Sequence, residues 1–277
     1  MFNALENNHS ACLGCPQIMA SRAVVNALAP QVIVVNATGC LEITTTAWPN
    51  SAWKIPWLHS LFANTPAVAS GVYAALKHQR TAKKIKVLVQ AGDGATFDIG
   101  LGALSGLWQR GEPIIYVCYD NEMYANTGGQ TSGATPADVD RVNPRQHKKD
   151  LLAIALAHRL PYIAQTTVAF LPDLRAKVQQ AAAVDGPSYL QVLAPCLPGW
   201  HITPPQIMRL AQLAADSGFY PLLEFTNGRE TGKRRLPRPL TALQTYLAMQ
   251  KRFANLSQPN RAYLQQLARE NINKYNL

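Results

Sequence analysis

The sequence predicts an α/β fold: an open, mostly parallel sheet with helices on both faces, irregular loops above one sheet edge and a helical C-terminal arm. Two observations carry the prediction. The runs Ile85 to Ala91 and Ile114 to Tyr119 are predominantly apolar over strand length, as strands buried on both faces are. Between them Ile99, Leu101, Leu104, Leu107 and Trp108 recur at helical spacing, which supplies the crossover that joins two parallel strands. A chain of 277 residues can bury a sizeable core, so one large domain over 1–226 and an appendage over 227–277 are expected.

The elements follow in order. Residues 1–16 read as irregular, and Pro16 sets the first turn of a helix from Gln17 to Leu28. Val32 to Val35 is a short buried strand ending in Asn36-Ala37-Thr38-Gly39-Cys40. Leu41 to Asn64, rich in Thr, Trp and Pro, has no clean period and reads as a long loop of functional size. Pro66 to Lys77 is a helix with small residues, and Arg80 to Lys84 a basic turn. Beyond the central strands, Met123 to Pro144 is a second long loop, dense in Gly, Thr, Ser and Asn. Helices are expected from Lys149 to His158, from Pro172 to Ala183 and from Pro204 to Asp216, with strands at Tyr162 to Thr166 and Tyr189 to Leu193. From Thr226 the chain turns polar, basic and Pro-broken, and two amphipathic helices, Thr241 to Ala254 and Asn260 to Tyr275, complete the arm.

Charge and cysteines narrow the function classes. The 26 Lys and Arg against 16 Asp and Glu leave a formal +10, gathered at Lys83-Lys84-Lys86, at Arg141 to Lys149 and at Lys233-Arg234-Arg235 with Arg238. A solvated basic face explains each cluster, and the balance is also compatible with nucleic acid, an acidic redox protein or an acidic sister subunit. Aromatics do not interleave with these runs and no nucleic-acid motif is present, so no nucleic-acid partner is expected. There is no apolar stretch of membrane-spanning length and no secretory pattern at the N-terminus, so a cytoplasmic chain without a membrane span is expected. Five cysteines then read as ligands or core thiols rather than as a disulfide frame. Cys118 lies inside an apolar strand and belongs to the core. Cys12 and Cys15 form a C-x2-C pair, and with Cys40 and Cys196 they are four thiols suited to one tetrahedral zinc or one cubane iron–sulfur cluster.

The stretch from Gly92 to Gly129 concentrates the chemistry. Asp93, in Gly92-Asp93-Gly94, and Asn121, 28 positions later, both fall just beyond the carboxyl ends of parallel strands, where open α/β sheets bind ligands. Oxygen donors there suit magnesium bridging to phosphates, while the glycines allow close backbone approach and the next helix offers free N–H groups. Asp98 reads as a cap on that helix.

GDG with an amide at this distance resembles the diphosphate-binding motif of thiamine diphosphate enzymes. The longer run YDNEMYANTGGQTSGATP, with CLGC, NATGC and APCLPGW, is similar to the beta subunit of pyruvate:ferredoxin oxidoreductase, of the 2-oxoacid:ferredoxin oxidoreductase family. The resemblance covers residues 9–226 and implies the thiamine diphosphate-binding fold. It implies Asp93, Asn121 and the Met123 carbonyl as magnesium ligands, Gly92, Gly94 and Ala95 along the diphosphate, and Ala125 in the cofactor site. Asn126 would point toward the reacting carbon as the catalytic residue. Cys12, Cys15, Cys40 and Cys196 would hold one [4Fe–4S] cluster, Cys40 also neighbouring the cofactor. The activity implied is oxidative decarboxylation of pyruvate with coenzyme A to acetyl-CoA and CO2, or the reverse, with electrons passing to ferredoxin. Sister enzymes act on oxoglutarate, branched-chain, aryl or oxalate substrates. An alpha subunit would supply the activating carboxylate, and gamma and ferredoxin-like delta subunits would complete the enzyme. The family continues C-x2-C with Gly-Glu, whereas this chain has Pro16-Gln17, which alters the hydrogen bonding and charge beside the sulfurs.

Other residues invite roles that ordinary packing also explains. Glu42 reads as a base or a packing group, and His59 as a substrate contact or loop filler. Trp48, Trp53 and Trp57 read as a pocket wall or satellite core, and His147-Lys148-Lys149 as a solvated face.

Overall fold

The computed structural model describes residues 3–137, 139 and 147–277; residues 141–146 of the expected basic run, with Pro144, lie outside it. The chain runs α1 (Pro16–Leu28), β1 (Val32–Ala37), α2 (Cys40–Thr45), β2 (Trp57–Ser60), α3 (Thr65–His78) and β3 (Lys86–Gly92). A π-helical turn, Gly94–Ile99, leads into α4 (Leu101–Arg110) and β4 (Ile114–Asp120). Then come α5 (Leu151–Ala157), β5 (Tyr162–Thr167), α6 (Leu171–Ala183), β6 (Ser188–Leu193), α7 (Leu197–Trp200) and α8 (Gln206–Asp216). The hairpin β7 (Leu223–Thr226) and β8 (Arg229–Lys233) precedes α9 (Leu243–Ala248) and α10 (Gln258–Tyr275).

The strands form one sheet in the order β2-β1-β3-β4-β6-β5-β7-β8. Pairing is parallel from β2 to β5 and antiparallel for β7 and β8. Continuous burial of β4 on both faces accounts for its apolar run from Ile114 to Tyr119, and β6 is buried throughout as well. One core, holding Ile18, Val24, Leu174, Leu210, Tyr246 and Leu264, lies between the sheet and α1, α6, α8, α9 and α10. The other, holding Leu76, Leu104, Leu107, Trp108 and Leu151, lies under α3, α4 and α5. Helices therefore cover both faces, as expected.

Chain order places the site. β1 leads outward to β2 and β3 leads the other way to β4, so the crevice between β1 and β3 is a topological switch point, the usual ligand position in such sheets. The carboxyl ends of β1, β3, β4 and β6 stand side by side, since Asn36 pairs with Gln90, Gly92 with Tyr119 and Asp120 with Leu193.

Two expectations are corrected. The stretch read as an unbroken loop after Cys40 holds a helix and a strand. In α2, Thr44 and Thr45 donate their hydroxyls to the Cys40 and Leu41 carbonyls (2.7 and 2.6 Å), so β-branched residues that read against a helix are tied into one. The edge strand β2 is half exposed and pairs only with β1, and so lacks an apolar run. The boundary expected at residue 227 falls inside the β7–β8 hairpin, and Leu243, Tyr246, Leu247, Phe253 and Leu264 enter the main core. The C-terminal segment is thus built into the domain. Among the described residues no helix is long and apolar enough to cross a membrane.

Candidate functional site

Two adjoining cavities open at the carboxyl edge of the sheet. The first is lined from Asn36 to Leu41 after β1, by Gln90 to Ala95 after β3, by Asn121 and Met123 to Asn126 after β4, and by Gln17 and Phe62. Gly92, Asp93, Gly94, Ala95, Asn121, Met123, Ala125, Asn126 and Cys40, singled out from the sequence, therefore share one wall. The second, of about 220 Å³, is lined by Cys12, Cys15, Cys40 and Cys196 together with apolar residues that include Ile18, Leu41, Ile43 and Leu197. Gln17, Cys40, Leu41, Asn121, Ala125 and Asn126 line both.

The donor groups of the first cavity are held from behind. Asp93 is fully buried; the backbone N–H of Asn121 approaches its Oδ1 at 3.4 Å, and the Ser132 hydroxyl donates to its Oδ2. Burial, and then the neighbouring Asp120 carboxylate, push the Asp93 carboxyl well above the usual range, so its charged form is disfavoured and a cation beside it would offset that cost. Asn121 Oδ1 accepts from the Met123 N–H (3.2 Å) in an Asx turn, and the Asn121 carbonyl accepts from the Trp200 indole (2.9 Å). Among the described residues, the buried atoms Asn36 Oδ1 and Gln90 Nε2 have no partner, and both residues line the cavity. Such groups are ordinarily satisfied, so they mark where a polar ligand fits. Gly94 has no room for a side chain: a Cβ there would overlap the Tyr124 ring. Gly199 is likewise filled by the Met123 thioether.

The thiols act on one another. Burial, then Cys196, Cys15 and Cys12, push the Cys40 thiol up to about 12; burial pushes Cys196 up to about 11 and also raises Cys15. Cys118 lies apart in β4, fully buried, as expected of a core thiol. Among the described residues no group of three or more His, Cys, Asp or Glu side chains is set around one ion position. Cys15 ends the chain segment before α1 and Cys40 begins α2, while Cys196 leads into α7, so three element boundaries aim these residues at one cavity.

Behind β4 lies a charged cluster that sequence reasoning missed. Lys148, expected on a solvated face, is largely buried and bonds Asp120 Oδ2 (2.6 Å) and Glu122 Oε1 (3.0 Å). Arg252 bonds Glu122 Oε2 at 2.6 Å. Burial disfavours the charge on Glu122, but Lys148 and Arg252 outweigh it and hold its carboxyl below the usual range. Lys149 reaches the Phe97 carbonyl and Asp98 Oδ1, both at 2.6 Å. Asp98, expected as a helix cap, instead accepts from the Tyr124 hydroxyl (3.1 Å) and the Gly133 N–H (2.8 Å), pinning the loop after β4. Glu42 and His59 line neither cavity; His59 meets the Thr38 hydroxyl at 2.7 Å. Trp53 and Trp57 stack at 6.1 Å beside the sheet edge, and Trp48 is exposed. Asn36, Gln90, Tyr124 and Ser132 were also missed, although Asn36 and Gln90, polar residues in apolar strands, are a readable signal.

Residues 37–192 match the family model described as thiamine pyrophosphate enzyme, C-terminal TPP binding domain, so fold and site define a thiamine pyrophosphate-binding domain. The chain is 43% identical over 264 residues to pyruvate synthase subunit PorB of Methanosarcina barkeri, covering 91% of this chain and 88% of that one. It is 39% identical to PorB of Methanocaldococcus jannaschii (90% and 88% covered) and 37% identical to ketoisovalerate oxidoreductase subunit VorB of Pyrococcus horikoshii (93% and 87%). The chain belongs to this PorB–VorB family of oxidoreductase subunits. Among solved structures, 2-oxoglutarate:ferredoxin oxidoreductase from Magnetococcus marinus shares the fold, with a TM-score of 0.60 at 19% identity over 94% of this chain and 93% of that one.

Proposed function

We propose that the chain is the cofactor-diphosphate and proximal-cluster half of a pyruvate:ferredoxin oxidoreductase. The observation that carries the reading is the shared wall: Cys40, Asn121, Ala125 and Asn126 line both the cavity beside Asp93 and the cavity of the four thiols. The names of the PorB relatives favour pyruvate, and those of VorB make a branched-chain 2-oxo acid the second reading.

When bound, thiamine diphosphate supplies the electron sink for decarboxylating a 2-oxo acid, and a [4Fe–4S] cluster supplies one-electron acceptance. Asp93, Asn121 and the Met123 carbonyl would hold magnesium, whose taste for hard oxygen donors they match. A Cβ at Gly92 would meet nothing within 4 Å, so the backbone of Gly92, Gly94 and Ala95 would lie along a diphosphate, and the unsatisfied Gln90 Nε2 would offer it a donor. Cys12, Cys15, Cys40 and Cys196 would hold the cluster. A single zinc needs its sulfurs drawn to about 2.3 Å of one point, whereas these thiols line a cavity of about 220 Å³, which suits a cubane cluster. Asn126, on the shared wall, would face the reacting carbon, with Ala125 beside it.

The carboxylate lining the first cavity is that of Asp93, and no second acid among its lining residues is free to activate the cofactor ring. An alpha subunit would supply that acid and the grip on substrate, while gamma and ferredoxin-like delta subunits carry electrons to ferredoxin in the cytoplasm. The exposed Arg235 and Arg238 of the C-terminal segment suit contact with such a subunit.

The test is co-purification of the chain with its natural partners, then assay of viologen reduction with coenzyme A and a panel of 2-oxo acids. Pyruvate should give the highest kcat/KM. Preference for 2-oxoisovalerate would favour the second reading, and absence of both iron and thiamine-dependent turnover would overturn both.

A further inference from the structure

Between Asn121 and Met123 the chain does something costly. Glu122 is fully buried and adopts φ +64°, a left-handed conformation that non-glycine residues seldom occupy. Strain of this kind persists only where surroundings over-determine it. Here a buried carboxylate is paired with two cations from distant parts of the chain. Lys148, 26 residues on, meets Oε1 at 3.0 Å, and Arg252, 130 residues on, meets Oε2 at 2.6 Å. The Thr135 hydroxyl donates to the Glu122 carbonyl (2.7 Å). Arg252 also lies over the Trp200 ring, 3.6 Å from its centroid, and that indole holds the Asn121 carbonyl. Arg252 thus touches both supports of the turn while touching neither cavity.

We propose that Arg252, with Lys148, is a positioning residue: it locks the Glu122 carboxylate and the Trp200 indole so that the strained Asn121–Glu122–Met123 turn presents its oxygens to the magnesium–diphosphate site. The inference rests on the thiamine reading above and adds to it a residue from the C-terminal segment. Groups that hold ligands from behind typically alter metal affinity 10–100-fold when removed.

The experiment uses the assembled multi-subunit enzyme, stripped of thiamine diphosphate and magnesium by chelation. Arg252→Met, Arg252→Lys and the double variant Glu122→Gln/Arg252→Met are compared with the parent. The measurements are the Kd for thiamine diphosphate by tryptophan fluorescence, the half-saturating magnesium concentration, the cofactor-free Tm and kcat at saturating cofactor. Arg252→Met should weaken cofactor and magnesium binding roughly 10–100-fold, with a smaller loss of kcat, and Arg252→Lys should recover part of it. The double variant leaves no unpaired buried charge, so its Tm should return toward the parent while cofactor affinity stays low. Should Arg252→Met fail to fold, Arg252→Lys carries the test. Cofactor affinity within about twofold of the parent in the folded variant, or full return of affinity in the double variant, overturns the inference. A parent enzyme that binds no thiamine diphosphate overturns the thiamine reading as well, which an unaffected variant of a binding parent does not.

Discussion

The Arg252 guanidinium donates to Glu122 Oε2 across 2.6 Å while lying face-on to Trp200, a contact between residues 130 positions apart. Trp200 closes the short helix that Cys196 opens, and its indole holds the Asn121 carbonyl. One arginine therefore ties together the loop of the fourth thiol, the loop of the oxygen donors and the last fifth of the chain. A buried charge pair of this kind is weak evidence for stability, and its interest here is that it joins the two loops of the site.

The C-terminal helix should behave as core. Leu264 in α10 is buried in the main cluster, so Leu264→Ala should cost about 2–5 kcal/mol. Thermal unfolding of the cluster-loaded subunit will show a fall in Tm of several degrees. Arg269→Ala, on the exposed side of the same helix, should stay within about 0.5 kcal/mol of the parent.

Gly92 and Gly94 should separate folding from binding. A Cβ at Gly94 would overlap the Tyr124 ring, so Gly94→Ala should destabilise the protein by about 1–3 kcal/mol even without ligand. A Cβ at Gly92 meets no atom within 4 Å. Gly92→Ala should therefore keep the parental cofactor-free Tm and lose the Tm increase that thiamine diphosphate with magnesium confers.

Ser132 donates to Asp93 Oδ2 from a loop 39 residues away. Ser132→Ala should raise the magnesium requirement for thiamine diphosphate binding by roughly 10–100-fold, read as half-saturation in a fluorescence titration. An unchanged titration would remove Ser132 from the site.

The cysteines should sort by reactivity. In the cluster-free chain Cys12 is exposed, the Cys40 and Cys196 thiols are raised to about 12 and about 11, and Cys118 is fully buried, burial pushing its thiol well above the usual value. Timed alkylation at neutral pH with peptide mapping should label Cys12 first, Cys40 and Cys196 slowly, and Cys118 only in denaturant. In the iron-loaded enzyme Cys12, Cys15, Cys40 and Cys196 should all be protected, and Cys196→Ser should lower the iron content from roughly four atoms per chain.

Much of this site was legible because its residues sit at strand ends, and strands buried on both faces announce themselves as unbroken apolar runs. Gly92-Asp93-Gly94, Asn121, Cys40 and Cys196 could be aligned on one edge from that alone, whereas Cys12 and Cys15, which precede α1, joined them through the family resemblance. What stayed hidden depends on distance in the chain. Arg252 and Lys148 look like any basic surface residues, and only folding shows that Glu122 waits between them. The β7–β8 hairpin was readable and passed over: Asn227 and Gly228, at φ +51° and +76°, are the Asn-Gly pair of a tight two-residue turn, masked by the basic residues after it. The π-helical turn over Gly94–Ile99 has no sequence period of its own, which is why the helical pattern read from the sequence begins only at Ile99, with Asp98 as its cap.

The four thiols lie at positions 12, 15, 40 and 196, and the segment that carries Cys196 follows β6. A chain leaving the ribosome therefore exposes three sulfurs long before the fourth exists, and Arg252 emerges later still. If these four sulfurs hold the proposed cluster, any metal that settles on the early three would be provisional, and the inorganic core would have to be inserted, or exchanged into place, after translation of the domain is nearly finished. Maturation of this subunit would then depend on iron–sulfur delivery to an almost complete protein rather than on capture by the nascent chain.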